Sequence, residues 1–222
     1  MHNVEIPEYV IERIMAKRGK LEVFDSFEAS KSALLVIDMQ NFYVAEVDTC
    51  KGIVPNINRL AEDMRAKGGK VYWIIMRCAD GPDAPSQWPL YHNYFFTDAK
   101  SAKHKNSLTP GDPGFDIYPE LNVVDGDEIV EKKRFSPFVE GASDLHQRLQ
   151  AAGVENLIVT GTATNMCSES TARDAMMLDY KVVMVSDANA ARFDEDHLVG
   201  LTSFYQSFGD VRKTADTVTM LK

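Results

Sequence analysis

The sequence predicts a single α/β domain built on a mostly parallel sheet with helices on both faces. Three observations carry that prediction. Short, fully apolar runs recur along the chain, amphipathic stretches separate them, and 222 residues are enough to close one such domain around a core.

Taken in order, the first element is an arm. Residues 7–19 place Val10, Ile11, Ile14 and Met15 on one helical face and stop at Gly19. The predicted organisation is an N-terminal amphipathic arm over residues 1–30 and one α/β domain over residues 31–222. The arm either packs on its own core or meets another subunit. Ala33-Leu34-Leu35-Val36-Ile37 then reads as a strand covered on both faces. Residues 53–66 read as a helix ending at Gly68-Gly69, and residues 71–76 as a second buried strand. Residues 78–120, rich in Gly, Pro and aromatics, form a long excursion, and such excursions usually cover or serve a site. A shorter strand is expected at 128–132 and a helix at 142–152. Strands follow at 157–160 and 182–185, with helices at 167–178 and 194–208. Val211 and Val218 are expected in a last, weak strand.

Composition excludes several classes. A net charge of -9 and a pI near 5.1 oppose nucleic acid as a partner, because phosphate contacts need a basic face. No apolar run approaches the roughly 20 residues that span a bilayer. Met1-His2-Asn3-Val4-Glu5 lacks the basic-then-apolar pattern of a secretory signal. Cys50, Cys78 and Cys167 are odd in number and show no CxxC spacing, as expected of a reducing cytoplasm.

In open parallel sheets, sites lie beyond the carboxyl ends of the strands. That rule selects three positions. Asp38 ends the first strand, Lys132 ends the third, and the turn leading to Cys167 leaves the fourth. Cys167 would open a helix, where the thiolate is stabilised and the pKa falls below its usual value near 8.5. Backbone N–H groups of the same turn would be open to an oxyanion. Equally, a free cysteine can be an inert buried hydrophobe. Asp38, after five apolar residues, is either a base or a strand-end cap or metal ligand. Lys132 is either the partner of that carboxylate or a solvated lysine beside Lys133.

Together the positions resemble the isochorismatase-like cysteine hydrolases. The similarity lies in Ile37-Asp38-Met39-Gln40-Asn41-Phe42 and in Lys132-Lys133-Arg134-Phe135-Ser136-Pro137-Phe138. It continues in Gly161-Thr162-Ala163-Thr164-Asn165-Met166-Cys167-Ser168-Glu169-Ser170-Thr171-Ala172-Arg173-Asp174-Ala175, the longest and most specific of the three. The resemblance implies a Rossmann-like three-layer sandwich, with a six-stranded parallel sheet in the order 3-2-1-4-5-6. It also implies a triad of Asp38 as base, Lys132 as its partner and Cys167 as nucleophile, taking Lys132 over Lys133 by its distance from Phe135. A cis peptide between Thr162 and Ala163 is implied too, with the Ala163 and Cys167 N–H groups forming the oxyanion hole. A homodimer or homotetramer is a further implication.

Within that family, nicotinamidases carry Asp-x-His and further histidines after the second strand, which bind a metal. Here the place reads Arg77-Cys78-Ala79-Asp80-Gly81, and His2, His92, His104, His146 and His197 show no ligand spacing, so no metal and no cofactor is expected. True isochorismatases cleave a vinyl ether without a cysteine nucleophile. Cys167 therefore favours C–N hydrolysis of a small carboxamide or ureido compound, nearest to the ureidoacrylate and N-carbamoylsarcosine amidohydrolases. Other readings are a vinyl-ether hydrolase, a thiol redox protein and a non-catalytic module. Candidate substrate contacts are Phe42, Tyr43, Phe135, Trp88 and Tyr91, with Tyr94 and Phe95 beside them; these rings could also be a lid's own core. Arg77 and Arg134 could bind a substrate carboxylate or form structural ion pairs.

Overall fold

A computed structural model describes residues 1–78 and 88–222, apart from the side chain of His92. Six strands, β1 (Ser32–Ile37), β2 (Lys70–Met76), β3 (Glu128–Lys132), β4 (Asn156–Thr162), β5 (Lys181–Ala190) and β6 (Asp210–Arg212), form one parallel sheet. Their order is 3-2-1-4-5-6, so the chain reverses direction across the sheet between β1 and β4.

The helices, in chain order, are α1 (Glu8–Arg18), α2 (Asn41–Glu46), α3 (Cys50–Ala66), α4 (Asp98–Ser107), α5 (Leu145–Ala151), α6 (Glu169–Met177), α7 (Asp194–Ser207) and α8 (Thr214–Met220). Side chains alternate across a strand. Leu34 and Val36 of β1 therefore join the core beneath α3 and α8, while Ala33, Leu35 and Ile37 join the core shared with α1, α5, α6 and α7. All six residues of β1 are buried, which explains the unbroken apolar run. Burying each such Leu or Ile contributes about 1.5–3 kcal/mol.

Several boundaries move from those predicted. Val218 lies in α8, not in a strand, and only Val211 belongs to β6. The helix expected over 142–152 forms only at Leu145–Ala151. β5 runs to Ala190, well past the apolar Val182–Val185, because Asn189 takes over carbonyls that an irregular pairing leaves open. Its Nδ2 donates to Val159 O (2.9 Å) and Val185 O (2.8 Å), where the β4–β5 register shifts. Polar residues at the end of β5 hid its true length. The arm helix α1 buries Val10 and Ile14 against this core, with Ile11 half-buried, whereas Met15 stays exposed.

Candidate active site

Register brings the three strand ends together. Ile37 of β1 pairs with Ile74 of β2 and Gly161 of β4, and Met76 of β2 pairs with Lys132 of β3. Asp38 thus emerges between β2 and β4, with its backbone in the left-handed region (φ 53°) and its N–H held by Ile74 O at 2.8 Å. Aspartate tolerates that conformation better than most residues. Gly161 makes the arrangement possible. At φ 111° it lies against β1 so closely that a Cβ there would sit 2.1 Å from Ile37 O. Gln40, buried two residues on, locks the same corner. Its Oε1 accepts from Met76 N (2.7 Å), and its Nε2 donates to Met76 O (3.1 Å) and Phe115 O (2.9 Å).

β3 explains the choice between adjacent lysines. Val130 and Lys132 share the buried face, whereas Ile129 and Glu131 point out, so Lys133 has the wrong parity. Lys132 is completely buried. Its Nζ lies 2.8 Å from Asp38 Oδ2, 3.1 Å from Arg134 O and 3.4 Å from Cys167 Sγ. The ammonium thus pairs electrostatically with the carboxylate and donates to the Arg134 carbonyl and the Cys167 sulfur.

Cys167 lies on a π-helical turn, Thr164–Ser168, that continues into α6. The peptide before that turn, Thr162–Ala163, is cis. Thr164 is fixed from outside, its hydroxyl 2.7 Å from Nδ1 of the buried His197. The helix-start argument predicts a depressed thiol pKa, and burial acts in the opposite direction. Burial pushes the Cys167 thiol well up, the nearby Asp38 carboxylate adds to the rise, and Lys132 only partly opposes it. Complete desolvation outweighs the fractional charge of a helix end. Burial likewise raises Asp38 above the ordinary carboxylate range, although Lys132 pulls it back. Burial would lower Lys132, but Asp38 and the thiol more than compensate, so its pKa is raised. Neither Asp38 oxygen has a well-aligned hydrogen bond among the described residues. The resting site is therefore a buried thiol beside a carboxylate of raised basicity with acceptor capacity to spare, next to a fixed ammonium. Such a set can move a proton from sulfur to oxygen as a nucleophile attacks.

A cavity of about 320 Å³ opens on Asp38, Ala163 and Cys167. Phe42, Tyr43, Tyr91, Phe95 and Phe135 line it, as do Phe96, Met166 and His104. Among the aromatic candidates, Trp88 stands behind that wall, stacked on Tyr91 at 4.1 Å and edge-on to Phe135 at 4.7 Å. Tyr94 is 78% exposed. Arg77 does not line the cavity; it is half-exposed and pairs with Glu131 at 2.9 Å. Arg134 stacks over Trp88 at 5.2 Å and also lies outside the lining. Asp80, part of the stretch compared with metal-binding relatives, lies outside the described residues. Among those described, no group of three His, Cys, Asp or Glu side chains is placed to hold a metal ion.

Sequence reasoning missed His104, Glu46, Arg192 and Asp196 of the lining. His104 sits on the weakly patterned α4, in contact with the Tyr91 hydroxyl (2.9 Å from Nε2) and the Cys78 sulfur (3.6 Å from Nδ1). Arg192 follows the carboxyl end of β5, but the strand read from the sequence stops at Val185, so the strand-end rule did not reach it.

A model of the isochorismatase domain matches residues 32–216. The chain belongs to the isochorismatase family. Ureidoacrylate amidohydrolase RutB of Variovorax paradoxus is 32% identical over 73% of this chain and 70% of its own. A cysteine hydrolase structure from Pseudomonas syringae pv. phaseolicola superposes with a TM-score of 0.76, at 27% identity, covering 88% of this chain and 94% of the other. N-carbamoylsarcosine amidase from Thermoplasma acidophilum gives 0.66 at 25% identity, covering 83% and 96%. The isochorismatase-family chain is a hydrolase, and its parallel sheet is the one its relatives share. No described helix is long and apolar enough to cross a membrane.

Proposed function

We propose that the protein is a cysteine-dependent amidohydrolase that cleaves the C–N bond of a small carboxamide or ureido compound and releases ammonia. The observation that carries this reading is the buried contact of Lys132 with both Asp38 and Cys167 at the floor of a substrate-sized cavity. Asp38 takes the thiol proton as Cys167 Sγ attacks the carbonyl carbon, and Lys132 holds the new charge distribution in place. The Ala163 and Cys167 N–H groups receive the oxyanion, a contribution of roughly 3–4 kcal/mol for a good donor. Collapse of the tetrahedral intermediate breaks the C–N bond, and Asp38 returns its proton to the departing nitrogen, giving ammonia and a thioester. Asp38 then removes a proton from water, which attacks the thioester; the acid leaves and the thiol is restored. The relatives named for ureidoacrylate and N-carbamoylsarcosine chemistry support the same bond class.

The test is ammonia release from a panel of small amides and ureido acids, with mass spectrometry of the quenched protein. A substrate should add its acyl mass to the wild-type chain on Cys167. Cys167→Ala should lose at least about 10⁴-fold in turnover, in line with the loss of a covalent nucleophile. Near-normal turnover in that variant would falsify covalent catalysis. Turnover of a vinyl ether without ammonia would replace the C–N assignment.

A further inference from the structure

The lining of the cavity is chemically one-sided. Aromatic rings from α2, the 90–96 segment and Phe135 form its body, and its volume of about 320 Å³ lies at the small end for ligand sites. Its charged groups are mostly acids. Asp38 is matched by Lys132, which leaves Glu46, Asp196 and Arg192 at the rim. Arg192 is already committed: its Nη2 lies 3.5 Å from Glu46 Oε2 and donates to Glu46 O at 3.1 Å. Lys103, the next cation outward, lies 2.5 Å from Glu46 Oε1. Residues 79–87, which fall outside the described part, contain Asp80 and Asp83 but no Lys or Arg.

A buried carboxylate needs a cation or several hydrogen-bond donors to offset its lost hydration. The cation that the described lining offers a substrate carboxylate is Arg192, which Glu46 holds, while the Tyr43 and Tyr91 hydroxyls meet His104 and the Thr162 hydroxyl donates to Ala190 O. Ring faces, by contrast, suit an uncharged flat body.

We propose that this site selects uncharged carboxamides with an apolar or aromatic body and discriminates against amides that bear a carboxylate, with Glu46 occupying the rim cations an anion would need. The inference rests on the amidohydrolase reading and separates this chain from relatives named for ureidoacrylate and N-carbamoylsarcosine, both carboxylates. Asp196 adds to the discrimination by facing the same opening with the same sign of charge.

The experiment compares two ligands that differ only in charge, benzamide and 4-carbamoylbenzoate, by titration calorimetry on Cys167→Ala, with Cys167→Ser as a second background. Benzamide should bind at least about tenfold more tightly. Equal affinities, tighter binding of the anion, or no binding of either at millimolar concentration would overturn the proposal. Glu46→Gln releases Arg192 and Lys103, so the ratio between the two ligands should shrink about threefold; an unchanged ratio would overturn the role given to Glu46. Ammonia release from the same compounds by the wild-type chain is read separately. Its absence alongside a strong binding preference would count against the hydrolytic reading and not against the selection.

Discussion

The floor and the wall of the cavity are built by different means. The floor comes from strand ends. Asp38, Lys132 and the turn to Cys167 are each placed by a β-pairing register, so their mutual distances follow from the sheet. The wall comes from the long connection between β2 and β3, where Tyr91 and His104 are held by ring packing and side-chain hydrogen bonds and not by a ladder. A one-residue slip in a strand would turn Lys132 out of the site. A comparable change in the wall would reshape the cavity but leave the proton-transfer geometry in place. Under the proposed mechanism chemistry and selectivity would be separable, and mutations can test the separation.

The largest effect is expected on the floor. Asp38→Asn keeps the shape but cannot take the thiol proton, and it leaves Lys132 without its charge partner. Turnover should fall about 10³-fold or more, some 4 kcal/mol, while substrate affinity changes little. In the wild type, kcat/KM should rise with pH through a carboxylate pKa above the ordinary range, because Asp38 must be ionised to act. Lys132, with its raised pKa, stays charged across neutral pH and sets no limb there. A profile that instead rises through about pH 8 would indicate that ionisation of the thiol, and not of Asp38, governs the reaction.

Next comes the corner that aligns the strands. Gly161→Ala would force a Cβ into the Ile37 backbone at a φ that disfavours side chains. The expected cost is about 3 kcal/mol in denaturant unfolding, with turnover lost in step. A stable variant with normal kinetics would show that the floor does not depend on this close approach.

A smaller effect concerns the support behind the turn that carries Cys167. Burial lowers the pKa of His197 to about 3, so the folded protein holds it neutral, while the unfolded chain protonates it near 6.5. The unfolded state therefore binds more protons between those values. The associated stability is present above pH 6.5 and is lost as pH falls toward 3. Between pH 7 and pH 4.5 this should amount to about 2 kcal/mol. Urea melts of wild type and His197→Gln at the two pH values check it, since the variant should show a flatter dependence.

Much of the floor was legible in the sequence because register is written in apolar runs. The ends of β1 and β4 located Asp38 and the turn to Cys167, whereas Lys132 was preferred to Lys133 only through the family resemblance; the alternation of β3 in the structure gives the physical reason. The protonation of the thiol was not legible, since a helix start is a local feature and burial is a property of the whole fold. The wall was half-legible. Its aromatic residues were visible as a group, but which rings face the cavity depends on packing with no sequence period, so Trp88 falls behind Tyr91 and Arg77 turns to Glu131. His104 gave no advance sign, because α4 is polar almost throughout and buries the histidine alone.

The smallest expected effect therefore tests the wall. Tyr91→Phe keeps the ring that stacks on Trp88 and removes only the hydroxyl that meets His104 at 2.9 Å. A buried neutral hydrogen bond contributes about 1 kcal/mol. If that energy fixes the shape of the cavity, KM should rise about fivefold while kcat stays within about twofold of wild type. The opposite split, a lowered kcat at constant KM, would mean that the Tyr91–His104 contact acts on the proton-transfer step. Floor and wall would then be one coupled unit, and His104→Gln should lower kcat as well.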